Sequence, residues 1–461
     1  MKNIIKLMAV SMLFTACHKD DFEPFTPTHI SIVDTTAQYG TPFANVPDIQ
    51  DAIIYQVNIR SFSTGGKFTG VTARLDSIKA LGVNVIYLMP IYPIGVDRSV
   101  NSPYSIRDYR GVATQMGTLE ELRALIDGAH QRNMAVIFDW VANHTAWDNP
   151  WIVNKSWYQL DAGGNIIAPP NTNYSDVAQL NFNNADMRLA MIRNMQYWIY
   201  KANIDGYRCD YADPVPLDFW KQALDSLRGI TSHKLIMLAE GGNTNYFSVG
   251  FDLKYTFQFF SNLKGVFGSN GAATSIDPIV NTDFVGSTGS NQQPIHYTSN
   301  HDVNLLEGTP NELFGGDNGA IAAFVAAAYS RGIPMIYNGQ EINYNTRLEY
   351  FNTNTPIDWT PKPVITGIYK KLIAFRKNSE ALKTGTQTAY SNNDIYAFTR
   401  IAGSEKVLVL VNVRNANKNF TVPTALANTN WQDAFTNASF SLGATGTTIN
   451  IPAYGYIVVK Q

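Results

Sequence analysis

Val83-Asn84-Val85-Ile86-Tyr87-Leu88 is the stretch on which the reading of this chain turns. It is a short, near-continuous apolar run, and runs like it recur. Ile53-Ile54-Tyr55-Gln56-Val57 precedes it; Ala135-Val136-Ile137-Phe138, Leu235-Ile236-Met237-Leu238, Ile295-His296-Tyr297 and Ile333-Pro334-Met335-Ile336-Tyr337 follow. A strand with one wet face alternates apolar and polar residues, whereas strands apolar throughout belong to a parallel sheet covered by helices. Helical signals lie between the runs. Thr118-Leu119-Glu120-Glu121 reads as a capping box, and Leu122, Leu125, Ile126 and Ala129 then repeat on one face. Leu189, Ile192, Met195, Ile199 and Ala202 do the same in a longer helix, while Gly82 and Gly206 stand near helix-to-strand returns, where left-handed caps are usual. With residues 204–210 and 251–257 as the fourth and sixth strands, the strands number eight. Alternating β and α over residues 49–380 predicts a (β/α)8 barrel. No glycine-rich phosphate loop follows the first strand, which argues against a dinucleotide fold.

Working outward, residues 144–184 interrupt the third repeat; they are too many for a bare loop and read as a small inserted domain. Residues 381–461 carry Ile395-Tyr396-Ala397-Phe398, Val407-Leu408-Val409-Leu410-Val411 and Tyr456-Ile457-Val458-Val459, separated by Asn- and Gly-rich turns, and predict a C-terminal antiparallel β-sandwich. At the other end, Lys2 and Lys6 precede an apolar stretch at 7–16, too short to span a bilayer. It runs into Leu13-Phe14-Thr15-Ala16-Cys17, which resembles a bacterial lipobox and so implies cleavage before Cys17 and lipidation of its thiol. An ordinary signal peptide with a chance cysteine is the competing reading. His18-Lys19-Asp20-Asp21 resembles the surface-export signal of Bacteroidota lipoproteins, which implies an outer-membrane protein at the cell surface. Residues 18–48, rich in Thr, Pro and Asp, read as a tether.

Composition narrows the function. Of 461 residues 45% are apolar, enough for a large core, and the net charge of −2 with no long basic run argues against a nucleic-acid ligand. The 24 tyrosines and 8 tryptophans suit a sugar binder, because apolar sugar faces stack on flat rings. Cys209 is the second of two cysteines; it sits in an apolar strand pattern as a small buried residue, and no disulfide framework exists.

Acids gather at the predicted C-terminal ends of strands, the face that holds a barrel's active site. Asp139 closes the third strand, Asp210 the fourth and Glu240 the fifth; Asp302 follows the seventh. A lone acid there is usually a turn former or cap, but four on one rim point to chemistry. Retaining glycosidases need two carboxyl groups roughly 5 Å apart, and neighbouring strands lie about 4.8 Å apart. Arg208, two residues before Asp210, points to the same side of its strand. A cation there is expected to hold Asp210 as carboxylate, with an ion pair to Asp139 as the structural alternative. Glu240 would stay protonated through partial burial and nearby negative charge.

Four segments in order resemble the conserved segments of glycoside hydrolase family 13, the α-amylase family: Asp139-Trp140-Val141-Ala142-Asn143-His144, Gly206-Tyr207-Arg208-Cys209-Asp210, Ala239-Glu240 and Ser299-Asn300-His301-Asp302. The similarity covers about residues 45–380. It implies a retaining hydrolase of α-glucosidic bonds, α-1,4 by family default, with Asp210 as nucleophile and Glu240 as acid/base. It implies that Asp302 stabilises the strained sugar, that His144 and His301 hydrogen-bond the glucose at the cleaved subsite, and that Tyr104 stacks under it, a core tyrosine being the alternative. No cofactor is required for this chemistry. Calcium is the one cation the resemblance admits, at Asn143. The expected partners are starch-like glucans or maltooligosaccharides, the membrane through Cys17, and proteins of glucan uptake. A transglycosylase of the same family and a non-catalytic glucan-binding lipoprotein are the alternatives.

The sequence also departs from the family. Many α-amylases carry Lys-His three and four residues after the nucleophile; here stand Asp213 and Pro214. Gly241-Gly242 follow the acid in place of a bulky pair, which suggests a more open site. Where the inserted domain usually adds an Asp to the calcium ligands, this chain has Gln179, which argues for a weak calcium site or none.

Overall fold

The computed structural model describes residues 36–461; Cys17 and the tether up to residue 35 lie outside the described residues. In chain order the first strands are β1 (Ile54–Val57), β2 (Val85–Leu88), β3 (Ala135–Val141), β4 (His144–Ala146), β5 (Val177–Gln179), β6 (Gly206–Asp210), β7 (Ile236–Ala239), β8 (Leu253–Tyr255), β9 (Gln293–Tyr297) and β10 (Ile333–Tyr337). Eight of them close a parallel barrel in the order β1-β2-β3-β6-β7-β8-β9-β10, with β10 returning to β1 through the pairing Ile54↔Met335. Every residue of the eight is buried, as the apolar runs require of strands packed on both faces.

The helix Leu119–Gln131 begins at the expected capping box. Glu121 N–H donates to Thr118 Oγ1 at 3.2 Å, and Thr118 N–H donates to Glu121 Oε2 at 2.8 Å. The helix Ala185–Ala202 buries Met187, Met191, Ile192, Met195, Trp198 and Ile199, and leaves Leu189 half-buried. Its left-handed end is Asn203 (φ 59°), not Gly206. Gly206 instead opens β6 at φ 139°, and a Cβ there would strike the Ile236 carbonyl on β7. Glycine is therefore needed for the close approach of the two strands that carry the site. The sixth barrel strand is also shorter than expected. Thr256 Oγ1 donates to the Ile295 carbonyl at 2.5 Å and turns the chain out of the sheet, so that Phe257 starts the helix Phe257–Gly268.

Between β3 and β6, β4 pairs antiparallel with β5, placing His144 opposite Gln179. Beyond the barrel come β11 (Thr386–Ala389), β12 (Ile395–Ala402), β13 (Glu405–Asn412), β14 (Lys418–Thr421), β15 (Asn430–Asp433), β16 (Ser439–Ser441), β17 (Thr448–Ile451) and β18 (Tyr456–Lys460). They form a six-stranded sheet, β11-β12-β13-β18-β15-β16, and a β14-β17 pair. Ile395, Ala397, Leu408 and Leu410 face Phe420 and Ile451 in a core of their own, while the alternate residues Tyr396, Phe398, Val407 and Val409 join the barrel's core. The period of two along each strand makes both faces possible. The helix Gly316–Tyr329 is buried all round from Gly319 to Tyr329, as its apolar composition demands, and Arg400 Nη1 on β12 donates to the Tyr329 carbonyl at 3.0 Å. Barrel and C-terminal sheets form one compact unit. Among the described residues no helix is long and apolar enough to cross a membrane.

Candidate active site

Parallel strands deliver their C-terminal ends to one rim. Asp139 lies near the end of β3, Asp210 ends β6, Glu240 follows β7, and His301 and Asp302 follow β9. The β6–β7 register sets Cys209 opposite Ala239, so Asp210 and Glu240 leave adjacent strands side by side. Arg208, with no exposure at all, sits between them. Its Nη1 is 2.6 Å from Asp139 Oδ1 and 2.8 Å from Asp210 Oδ1, and its Nη2 ion-pairs with Glu240 Oε1. The expected choice between an Asp210 pair and an Asp139 pair thus resolves into both, with Glu240 added.

The electrostatics differ from expectation on one point. Burial pushes the Asp210 carboxyl well above the usual carboxylate range; Arg208 pulls it down, while Glu240 and Asp139 push it up further. Burial also works against the Arg208 cation, but Asp139 and Glu240 outweigh it and hold the guanidinium above its ordinary value. Arg208 therefore does not by itself keep Asp210 ionised. One guanidinium thus faces three carboxyl groups, and for Asp210 burial and its two acidic neighbours act together against the charge that Arg208 favours.

Glu240 is fixed from a second side. Tyr211 N–H donates to its Oε2 at 2.9 Å, and Tyr211 holds φ 41°, an uncommon conformation for a residue other than glycine. Across the rim, Gln56 Nε2 donates to His301 Nδ1 at 2.8 Å, which leaves the ring proton on Nε2, facing Tyr104 Oη at 2.6 Å. Tyr104 Oη donates on to Asp139 Oδ2 at 3.2 Å, and Tyr87 Oη donates to the same oxygen at 2.5 Å. Tyr104 is half-buried, its ring 5.6 Å from that of His301. Asp302, its side chain 44% exposed, accepts from Tyr350 Oη at 2.8 Å through Oδ1. Tyr350 stands edge-on to Tyr104 at 6.2 Å and to His301 at 5.2 Å. A π-helical turn, Val303–Glu307, follows Asp302; such turns are rare and frequent at functional sites.

Every sequence-predicted site residue except the lipidation candidate thus falls on or beside this rim. Gln56, Tyr87, Tyr211 and Tyr350 are the residues sequence reasoning missed. Tyr87 carried one signal: a hydroxyl in a fully buried strand needs a polar partner. Tyr350, which lies 48 residues beyond Asp302 in a loop, carried none.

With this geometry in place, the sequence matches the family described as "Alpha amylase, catalytic domain" over residues 31–161 and 171–357, and "Maltogenic Amylase, C-terminal domain" over 386–458. The chain belongs to the α-amylase family. It is an α-amylase-type glycoside hydrolase. Among its relatives, Alpha-amylase MalA of Haloarcula japonica is 27% identical over 313 residues, 65% of this chain and 45% of that protein, so the chain matches less than half of MalA's length. Alpha-amylase 3 of Dictyoglomus thermophilum is 24% identical over 447 residues, 82% of this chain and 87% of that one. A maltogenic alpha-amylase, AmyB, from Thermotoga neapolitana shares the fold with a TM-score of 0.80 at 24% identity, covering 90% of this chain and 99% of the other.

In this α-amylase-family chain the inserted hairpin supplies His144, which is buried and held down to about 4 by desolvation, hence neutral near pH 7. Asn143 Nδ2 donates to its Nδ1 at 3.2 Å, leaving Nε2–H free to donate. Asn143 itself is engaged by Gln179. Gln179 Nε2 lies 3.0 Å from Asn143 Oδ1, 3.0 Å from the Asn143 carbonyl and 3.2 Å from the Leu180 carbonyl, while Asn143 Nδ2 donates back to Gln179 Oε1 at 3.2 Å. An amide nitrogen thus stands amid three oxygens, with no carboxylate in the set. Among the described residues, no group of three or more His, Cys, Asp or Glu is arranged so that it could hold a metal ion. A calcium ion needs several oxygens, carboxylates included, and these residues do not fit one.

Proposed function

We propose that this protein hydrolyses α-1,4-glucosidic bonds in starch, maltodextrins or related α-glucans with retention of configuration. The observation that carries the reading is the single buried Arg208 guanidinium touching both Asp210 and Glu240 at the ends of adjacent strands. In the proposed cycle Glu240 donates a proton to the leaving oxygen while Asp210 attacks the anomeric carbon from the opposite face. Glu240, now ionised, then deprotonates the water that releases the sugar. Asp302 holds the hydroxyls of the strained ring, His144 donates to that glucose through Nε2, His301 hydrogen-bonds it in place of the Tyr104 Oη that its Nε2–H faces at 2.6 Å, and the Tyr104 ring stacks beneath it. Names among the relatives, alpha-amylase and maltogenic alpha-amylase, support this substrate class.

The same proposal includes lipid attachment at Cys17, export to the outer membrane and surface, and work beside glucan-uptake proteins. It also includes independence from calcium, with the Gln179 amide serving where a cation would. The test is product release from soluble starch, pullulan and maltoheptaose by the chain lacking residues 1–17, with Asp210→Asn and Glu240→Gln beside it. α-Configured maltooligosaccharides, reduced at least about a thousandfold in both variants, are expected. Thermal stability of Asp210→Asn should match or exceed the parent, since one of three crowded acids loses its charge. β-Configured products would overturn the retaining mechanism, and undiminished turnover in either variant would overturn that assignment.

A further inference from the structure

The structure assigns Asp213 a role the α-amylase pattern does not provide: we propose that it is a positioning residue that sets Glu240 by gripping the loop behind it. The inference rests on the hydrolase reading above. Asp213 stands three residues after Asp210 on the loop that leaves β6, and its carboxylate reaches across to the loop that leaves β7. Oδ2 accepts Gly242 N–H at 2.9 Å; Oδ1 accepts Asn243 N–H at 3.1 Å and Tyr246 Oη–H at 2.6 Å. The neighbouring residues stitch the same two loops. Ala212 N–H donates to the Glu240 carbonyl at 2.8 Å, Glu240 N–H donates to the Cys209 carbonyl at 3.0 Å, and Tyr211 N–H holds Glu240 Oε2 at 2.9 Å. Glu240 is thereby fixed at its amide, its carbonyl, its carboxylate and, through Asp213, at the two residues that follow its neighbour Gly241.

The glycine confirms that the contact is built in. A Cβ on Gly241 would lie 2.5 Å from Asp213 Oδ1 and would also collide with Tyr246 Oη. Gly241 therefore makes room for Asp213, and the Gly241-Gly242 loop is drawn against that carboxylate. Asp210 belongs to β6 itself and is paired with β3 at Val141, whereas Glu240 lies just beyond β7 and is held by both loops, so losing Asp213 should harm proton transfer selectively.

The test compares kcat/KM on maltoheptaose, whose leaving alcohol needs a proton, with kcat/KM on α-maltosyl fluoride, whose fluoride leaves with little help. For Asp213→Ala we expect a fall of about 10–100-fold on maltoheptaose, within the range that general acid catalysis contributes, and less than about threefold on the fluoride. Gly241→Ala, which displaces Asp213 without removing it, should show the same split, and the double variant should be no worse than Asp213→Ala alone. Should Asp213→Ala fail to fold, Gly241→Ala decides. Equal losses on both substrates would mean a structural role only, and no loss on either would mean none; each overturns the inference. A parent enzyme that turns over neither substrate would instead sink the hydrolase reading and this inference with it.

Discussion

Replacing Gln179 tests whether an amide has taken over a cation's work. Gln179 is 5% exposed and Asn143 not at all, so water cannot substitute for the lost contacts. In Gln179→Leu, Asn143 Oδ1 loses its donor, and Asn143 Nδ2 loses one acceptor; the Asn143 carbonyl keeps the Leu180 N–H at 3.2 Å. An orphaned buried polar group costs about 1–3 kcal/mol, so the variant should lose roughly 3 kcal/mol. Unfolding entropy near 2.1 cal/mol/K per residue gives a chain of 461 residues about 1 kcal/mol/K, so Tm should fall by roughly 3 °C. Gln179→Asp places a carboxylate among the same oxygens. Without a cation it should melt at least as low, but calcium at a hundredfold excess over Kd would restore about 2.7 kcal/mol, roughly 3 °C. The assay is calorimetric Tm in excess EDTA and in excess calcium. The parent should be indifferent to both, and Gln179→Asp should become calcium-responsive. A parent that loses several degrees in EDTA and regains them with calcium would refute the reasoning.

Two further outcomes follow from the site. Tyr350→Phe removes the hydroxyl that Asp302 accepts at 2.8 Å; because Asp302 is partly wet, the loss should be near 1.5 kcal/mol, about a tenfold drop in kcat on maltoheptaose with KM within about threefold, and an unchanged kcat would reduce Tyr350 to packing. His144 takes up a proton near its ordinary 6.5 when unfolded but only near about 4 when folded. Protonation therefore favours the unfolded chain: its contribution is intact above pH 6.5, declines as pH falls from 6.5 to 4, and amounts to about 3 kcal/mol at most. Denaturant midpoints followed over that window should show a shallower acid slope in His144→Gln; identical slopes would exclude His144 as the source.

Local chemistry made much of this legible in the sequence. The capping box at Thr118, the eight apolar strands and the pairing of Arg208 with Asp210 each depend on residues a few positions apart, and each stands in the structure. What escaped depends on distance along the chain. Tyr350 meets Asp302 only because the loop after β10 folds back over the rim, and Gln56 meets His301 across 245 residues. The full surroundings of Asp210 are hidden for a related reason. Its partner two residues away is visible in the sequence, but the two competing carboxyl groups on β3 and after β7 become neighbours only in the closed barrel. Gly206 shows the same limit: its spacing suggests a helix cap, while its reason lies in the Ile236 carbonyl of the adjoining strand.

The seam between β1 and β10 bears on how the molecule comes into being. Tyr55 Oη donates to Glu341 Oε1 at 2.6 Å across 286 residues, so the first strand to leave the ribosome acquires its second neighbour almost last. At 5–20 residues per second the wait is roughly 15–60 s, during which a strand buried at every position in the finished ring keeps an open edge. Such long-range closure makes folding slow and leaves the half-built sheet prone to pairing with other chains. Until residue 337 arrives, the edge of β1 that β10 will cover has no partner within the ring.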